Sequence, residues 1–110
     1  MKLKMKTLSS VVRPYDQIDR LLKSQGFRST HHYPPTYDTK IRDIASGQVY
    51  RLKVPTYLTG KKIQKEYLQL DEPVLEPDSN NRCQSPSNIP DSVVFAVHEK
   101  LEEIASYLKS

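Results

Sequence analysis

Gly47 sits between two runs in which apolar and polar residues alternate, and this arrangement restricts the chain more than any other feature. Upstream lies Tyr37 to Ile44 and downstream Gln48 to Val54. A period of two sends successive side chains to opposite faces of a strand. Two such runs joined by a short glycine-containing loop read as a β-hairpin, and strands joined this way are antiparallel. Gly60 is expected to serve as a second turn, between Tyr57-Leu58 and the run Ile63 to Leu70. Pro55 has no N–H to give a ladder, so it marks a strand end, an edge or a bulge.

Two amphipathic segments supply the covering layer. Residues 14–25 read as a helix: Pro14 suits its first turn, and Ile18, Leu21 and Leu22 form the apolar stripe. Gly26 provides the left-handed residue that ends it, and Phe27 the hydrophobic contact of a Schellman cap. Near the C-terminus, Val94, Val97, Leu101, Ile104 and Leu108 repeat at intervals of three and four, so one helical face is wholly apolar and must be covered. The stripe lasts barely two heptads, which favours packing on a sheet over a coiled coil. Lys2 to Val12 and Phe27 to Tyr33 read as further strands. The stretch Asp71 to Pro90 carries four prolines, Pro73, Pro77, Pro86 and Pro90, among Asn, Asp and Ser. The last strand is expected to extend through Pro73-Val74-Leu75, with a mobile surface loop over about residues 75–89.

The 110 residues, 36% of them hydrophobic, suffice for one domain with a small core, spanning residues 1–110. The expected architecture is α+β and two-layered: one curved, mostly antiparallel sheet of about five strands with two helices on one face. No run approaches the roughly 18 apolar residues of a membrane span. The basic start of the chain is too short and too polar for a signal peptide, and a single Cys excludes an internal disulfide. A cytoplasmic location is the expectation.

Strand phase sorts the remaining residues. Tyr37, Thr39 and Ile41, Tyr50, Leu52 and Val54, and Leu68 and Leu70 fall on one side, beneath the helices. On the open side fall Lys2, Lys4, Lys6, Arg28, Lys40, Arg42, Arg51 and Lys53, with Tyr67 alongside and Asp38 as the one clear acid. A net charge of only +4 therefore conceals a segregated distribution. An uncovered face must be polar for solubility, and lysines on edges oppose strand-to-strand aggregation. The same segregation also suits an anionic or charge-complementary partner.

Chemistry has few candidates. His31 and His32 are adjacent and point apart on a strand, and His98 has no ligand type at metal-binding spacing on its apolar side. Cys83, beside Arg82, lies in the proline-bounded loop without the rigid base and oxyanion donors a nucleophile needs. All three glycines are assigned to a cap and turns, leaving none for a phosphate-cradling loop. No cofactor or metal is expected.

The block Tyr37-Asp38-Thr39-Lys40 through Val49-Tyr50-Arg51-Leu52-Lys53-Val54-Pro55 resembles the central hairpin of the YugN-like family of small bacterial proteins. Tyr67-Leu68-Gln69-Leu70-Asp71-Glu72-Pro73 is similar to that family's following strand, and Ile89-Pro90 with Val94, Val97, Leu101 and Ile104 to its closing helix. The resemblance spans most of residues 14–110. It implies an α+β fold similar to one half of the TATA-binding-type saddle, and it supplies no activity and no functional residues. The segment 77–88 is shorter here, and Trp is absent.

The expectation is thus a small, non-enzymatic binding protein acting through its open basic face, with Lys4, Lys6, Arg28, Lys40, Arg42, Arg51, Lys53 and Tyr67 as the site. The partner is another protein or a second copy of the chain; a homodimer would use a sheet edge or the helical layer. Nucleic acid bound on the same face is the alternative, and an enzyme using Cys83 or a histidine is a third reading.

Overall fold

The fold is organised by one long ribbon. In the computed structural model, which describes residues 2–30, 32–62, 65–77 and 89–109, strand β4 runs without a break from Val49 to Lys62. Its first half pairs antiparallel with β3 (Thr36–Arg42), in the register Ile41 to Tyr50, Thr39 to Leu52 and Tyr37 to Val54. On the other side, β5 (Lys65–Leu70) pairs with its second half and β6 (Val74–Pro77) with its first. β5 and β6 are therefore successive pieces of one line of chain, interrupted at residues 71–73. A two-residue strand, β2 (Arg28–Ser29), flanks β3, and β1 (Val12–Pro14) flanks β5. The sheet is open, with the order β1-β5-β4-β3-β2 and β6 beside β4.

The expectation of a turn at Gly60 is corrected. Gly60 lies inside β4, opposite Tyr67, where the register shifts by a bulge between Leu58 and Gly60. A glycine in a strand often marks such a bulge as readily as a turn. Pro55 likewise ends nothing. Its carbonyl accepts from Asp71 N–H at 2.8 Å, so its missing donor would have pointed into the interruption between β5 and β6. A proline in mid-strand is tolerated because the partner strand is already broken there.

The expected first strand, Lys2 to Val12, is also corrected. Only Lys2 bridges to Val74, after which the chain makes a helical turn, α1 (Lys6–Ser9), before β1. That turn brings Met5, Leu8 and Val11 into the core together, which continued alternation would not do. The second expected strand, Phe27 to Tyr33, shortens to β2. Asp78 to Asn88, most of the expected mobile loop, lies outside the described residues.

Helix α2 (Tyr15–Ser24) ends as expected. Gly26 adopts φ +91°, and its N–H donates to Lys23 O while Phe27 N–H reaches back to Leu22 O at 3.0 Å, the bond pair of a Schellman cap. Phe27 and Leu22 are both buried. Helix α3 (Asp91–Lys109) buries Val93, Val97, Leu101, Ile104, Ala105 and Leu108; Val93 takes the innermost place that the spacing assigns to Val94. These side chains form one core with Tyr37, Tyr50, Leu52, Val54, Leu68, Leu70 and Leu75 of the sheet. The architecture is α+β, with the helices on one face of an antiparallel sheet. None of the described helices is long and apolar enough to cross a membrane.

Candidate functional site

Each strand of the sheet contributes alternate residues to the face turned away from the helices. Cross-strand pairing fixes which of them are neighbours. One row reads Arg28, Asp38, Lys53 and Val74 across β2, β3, β4 and β6, and Lys2 follows Val74 by its bridge. A second row reads Lys40, Arg51 and Glu76, and a third pairs Arg42 with Val49. Directly opposed residues in antiparallel strands stand about 4.5–5.5 Å apart at Cβ, so these charges interact.

The structure thus brings together Arg28, Lys40, Arg42, Arg51 and Lys53, five of the expected residues. Arg28, Lys40 and Arg42 are exposed, while Arg51 and Lys53 are half-buried among their neighbours. Two of the others are displaced. Lys6 lies on the α1 turn, not in a strand, and Lys4 in the irregular stretch between Lys2 and that turn, because the chain leaves the sheet after Lys2. Tyr67 does point to the outer face, but at the far end of the ribbon, opposite Gly60 and Pro14. It lies there with Val12, Gln69 and the exposed Tyr57, which register together across β1, β5 and β4.

The face carries more acid than expected. Asp38 is joined by Glu76, which pairs with Lys53 at 2.7 Å and stands opposite Arg51. The signal for Glu76 was present: Val74, Leu75 and Glu76 continue an alternation past Pro73. Among the described residues, six cations on this patch, Lys2 included, therefore face two carboxylates, and each acid is set beside a cation. Where β2 gives out, the face sinks into a depression of about 360 Å³ lined by Gly26, Arg28, Asp38, Thr39, Lys40 and Arg51. A larger depression, about 570 Å³, lies on the helical side between α2 and the end of α3, over Leu21, Tyr107 and Leu108 with Asp16 and Arg20 at its rim.

Polar groups on the helical side are structural. Tyr37 is fully buried and its hydroxyl donates to Asp19 at 2.8 Å; burial first, and the adjacent carboxylate second, push the phenol well above its ordinary range. Asp19 also pairs with Lys23 at 3.1 Å. Arg13, whose role the alternation did not reveal, points inward opposite Leu68 and donates from Nε to the Leu108 carbonyl at 2.6 Å, satisfying the last turn of α3. His98 is half-exposed, 4.0 Å from Glu102, and His32 is exposed. Cys83 and His31 lie outside the described residues. Among the described residues, no group of three or more His, Cys, Asp or Glu is placed to hold a metal ion.

No protein-family model matches the sequence, and no curated protein matches it. Among solved structures, the chain is similar to an uncharacterized conserved protein, YugN from Geobacillus kaustophilus HTA426. The two superpose with a TM-score of 0.78 at 18% identity, over 99% of this chain and 95% of that one. The YugN-like fold that the hairpin and closing-helix motifs imply is therefore the fold of this chain.

Proposed function

We propose that the protein is a small binding module whose outer sheet face docks another protein. One observation carries the reading. Among the described residues, six cations and two carboxylates share a face that no described helix covers, so the pattern is of mixed sign. A nucleic-acid backbone presents uniform negative charge. Asp38 within one row and Glu76 at the end of the next oppose it, and the outward-facing Tyr57 and Tyr67 stand at the far end of the ribbon. A protein surface can answer both signs at once, which gives specificity of register more than raw affinity. Arg, which this array presents three times among the described residues, is also enriched where protein interfaces concentrate their binding energy. The reading is of binding without catalysis.

Lysine-directed cross-linking in extracts of the native host, read by mass spectrometry, tests it. The expected result is that cross-links to a partner protein concentrate on Lys40 and Lys53. Cross-links confined to Lys23, Lys100 and Lys109 on the helical side would overturn the reading. A second experiment addresses nucleic acid. Five phosphate contacts on single-stranded RNA would weaken binding by about a hundredfold between about 50 and 200 mM salt. We expect no slope of that size.

A further inference from the structure

Among the described residues, the outer face carries a concave feature whose chemistry is specific. Beyond Arg28, β3 continues from Thr39 to Arg42 with β2 no longer beside it, and the depression of about 360 Å³ occupies that step. Side chains from three strands border it: Arg28 from β2, Asp38, Thr39 and Lys40 from β3, and Arg51 from β4. Its inner wall is tied down, since Thr39 Oγ1 donates to the Gly26 carbonyl at 3.2 Å just past the end of α2.

We infer that this depression, bordered by Arg28, Lys40 and Arg51, is the anchor that seats carboxylate side chains of an acidic segment of the partner protein. The inference rests on the reading of this face as a protein-docking surface and names the chemistry of that partner. Arg28, Lys40 and Arg51 converge on the depression with Asp38 between them and Glu76 opposite Arg51, so cations outnumber carboxylates around this one concavity. The donors are side chains: two planar guanidinium forks and one ammonium. A guanidinium fork matches the two oxygens of a carboxylate in a bidentate pair. Phosphoryl sites characteristically add backbone N–H groups at a helix N-terminus or a nest. Here the adjoining helix end is the C-terminus of α2, where the macrodipole is negative and carbonyls rather than N–H groups remain. The set therefore favours carboxylates.

The probe is fluorescein-labelled poly-L-glutamate, titrated with the intact protein and followed by anisotropy, with mixed-sequence single-stranded RNA of equal length as the second arm. Arg28→Gln and Lys40→Gln each remove one exposed donor at the rim and leave the central strand intact. Arg42→Gln removes an equal charge from the same face outside the depression. The expected result is binding of polyglutamate that falls about tenfold in Arg28→Gln and in Lys40→Gln, the loss of a charge-assisted contact. It falls less than about threefold in Arg42→Gln, the loss of a neighbouring charge that borders no part of the depression and acts only through solvent. Equal losses in all three variants would overturn the anchor and leave a diffusely charged docking face. Absence of polyglutamate binding at low salt would also overturn it, while the cross-linking pattern decides the docking face independently. Tighter binding of RNA, lost in the same two rim variants, would overturn the carboxylate assignment and the protein-docking reading together.

Discussion

The two sides of strand β4 make a controlled comparison. Tyr50, Leu52 and Val54 turn inward and are almost wholly removed from solvent; Arg51 and Lys53, the residues between them, turn outward and stay in contact with it. One segment of backbone, with one set of ladder bonds, thus presents a fully committed surface and an available one. Burial of apolar area contributes roughly 25 cal/mol per Å², and it acts on the inner side alone. The outer side is held by charges whose mutual attraction water largely screens. On the docking function proposed above, stability and recognition fall on alternate residues of the same strand, and the comparison can be broken experimentally at either.

The largest effect is expected at Leu52, at the centre of the core. Leu52→Ala should destabilise the protein by about 2–5 kcal/mol, through lost transfer energy and the cavity left behind. Denaturant unfolding reads this directly. Its neighbour gives the contrast: Lys53→Ala should change stability by less than about 1 kcal/mol, the scale of a surface ion pair. Comparable losses at the two positions would mean that the outer face is part of the folding core and is not available for docking.

Arg13 is the cation on the wrong side of this division, and it tests whether charge placed inward is structural. Its Nε–H caps Leu108 and one Nη donates to Val12 O at 2.7 Å. Arg13→Met keeps the aliphatic stem and removes both bonds. The expected loss is about 1.5–3 kcal/mol, the range for hydrogen bonds to charged groups. The hydrogen-exchange protection of the last turn of α3 should fall most.

Tyr37 is the polar group most deeply committed to the inner side. Its hydroxyl is neutral in the fold, and burial beside Asp19 raises its pKa above the unfolded value of about 10. A raised folded pKa means that the stabilisation is fully present below the unfolded pKa and is lost as pH rises above it. Above about pH 10, the unfolded chain releases a proton that the folded chain keeps, so stability should decline with alkalinity. Tyr37→Phe should flatten that decline and cost about 1 kcal/mol at neutral pH for the hydrogen bond. The difference in phenolate absorbance between the wild type and Tyr37→Phe during alkaline titration should appear only on unfolding.

How far this division is legible in the sequence depends on which physical signal each residue carries. The β3–β4 hairpin, its inward apolar set and the closing helix follow from periodicity, because core burial requires it. The Schellman cap at Gly26 is legible because only a positive φ ends α2 there. The first strand misled because Lys2 to Lys6 alternate, yet Met5, Leu8 and Val11 recur every three residues and so announce a helical turn. Gly60 and Pro55 carry the ordinary marks of a turn and a strand end. What keeps both inside β4 is tertiary: a bulge opposite Tyr67, and a break in the partner strand opposite Pro55. In the candidate site, the cations Lys2, Arg28, Lys40, Arg42, Arg51 and Lys53 are legible by phase. The outward phase of Glu76 is legible in the alternation past Pro73, but its place beside Lys53 depends on β6 resuming in a register that no local pattern specifies.

The smallest effect is expected at that last pair, and it separates a stabilising contact from one that organises the face. Lys53 Nζ and Glu76 Oε1 are 2.7 Å apart, with both side chains nearly two-fifths exposed. A double-mutant cycle with Lys53→Gln and Glu76→Gln should give a coupling of about 0.2–1 kcal/mol, falling further with added salt. The same pair has more influence on electrostatics. Glu76→Gln removes a carboxylate opposite Arg51 and makes the patch more uniformly basic, so it should strengthen binding of polyglutamate and steepen its salt dependence while leaving unfolding almost unchanged. Lys53→Gln should do the reverse, weakening binding by a similar small factor. If both changes moved stability but neither moved binding, the pair would belong with Leu52 and not with the docking face. The boundary between the two sides of β4 would then run through the ion pair itself.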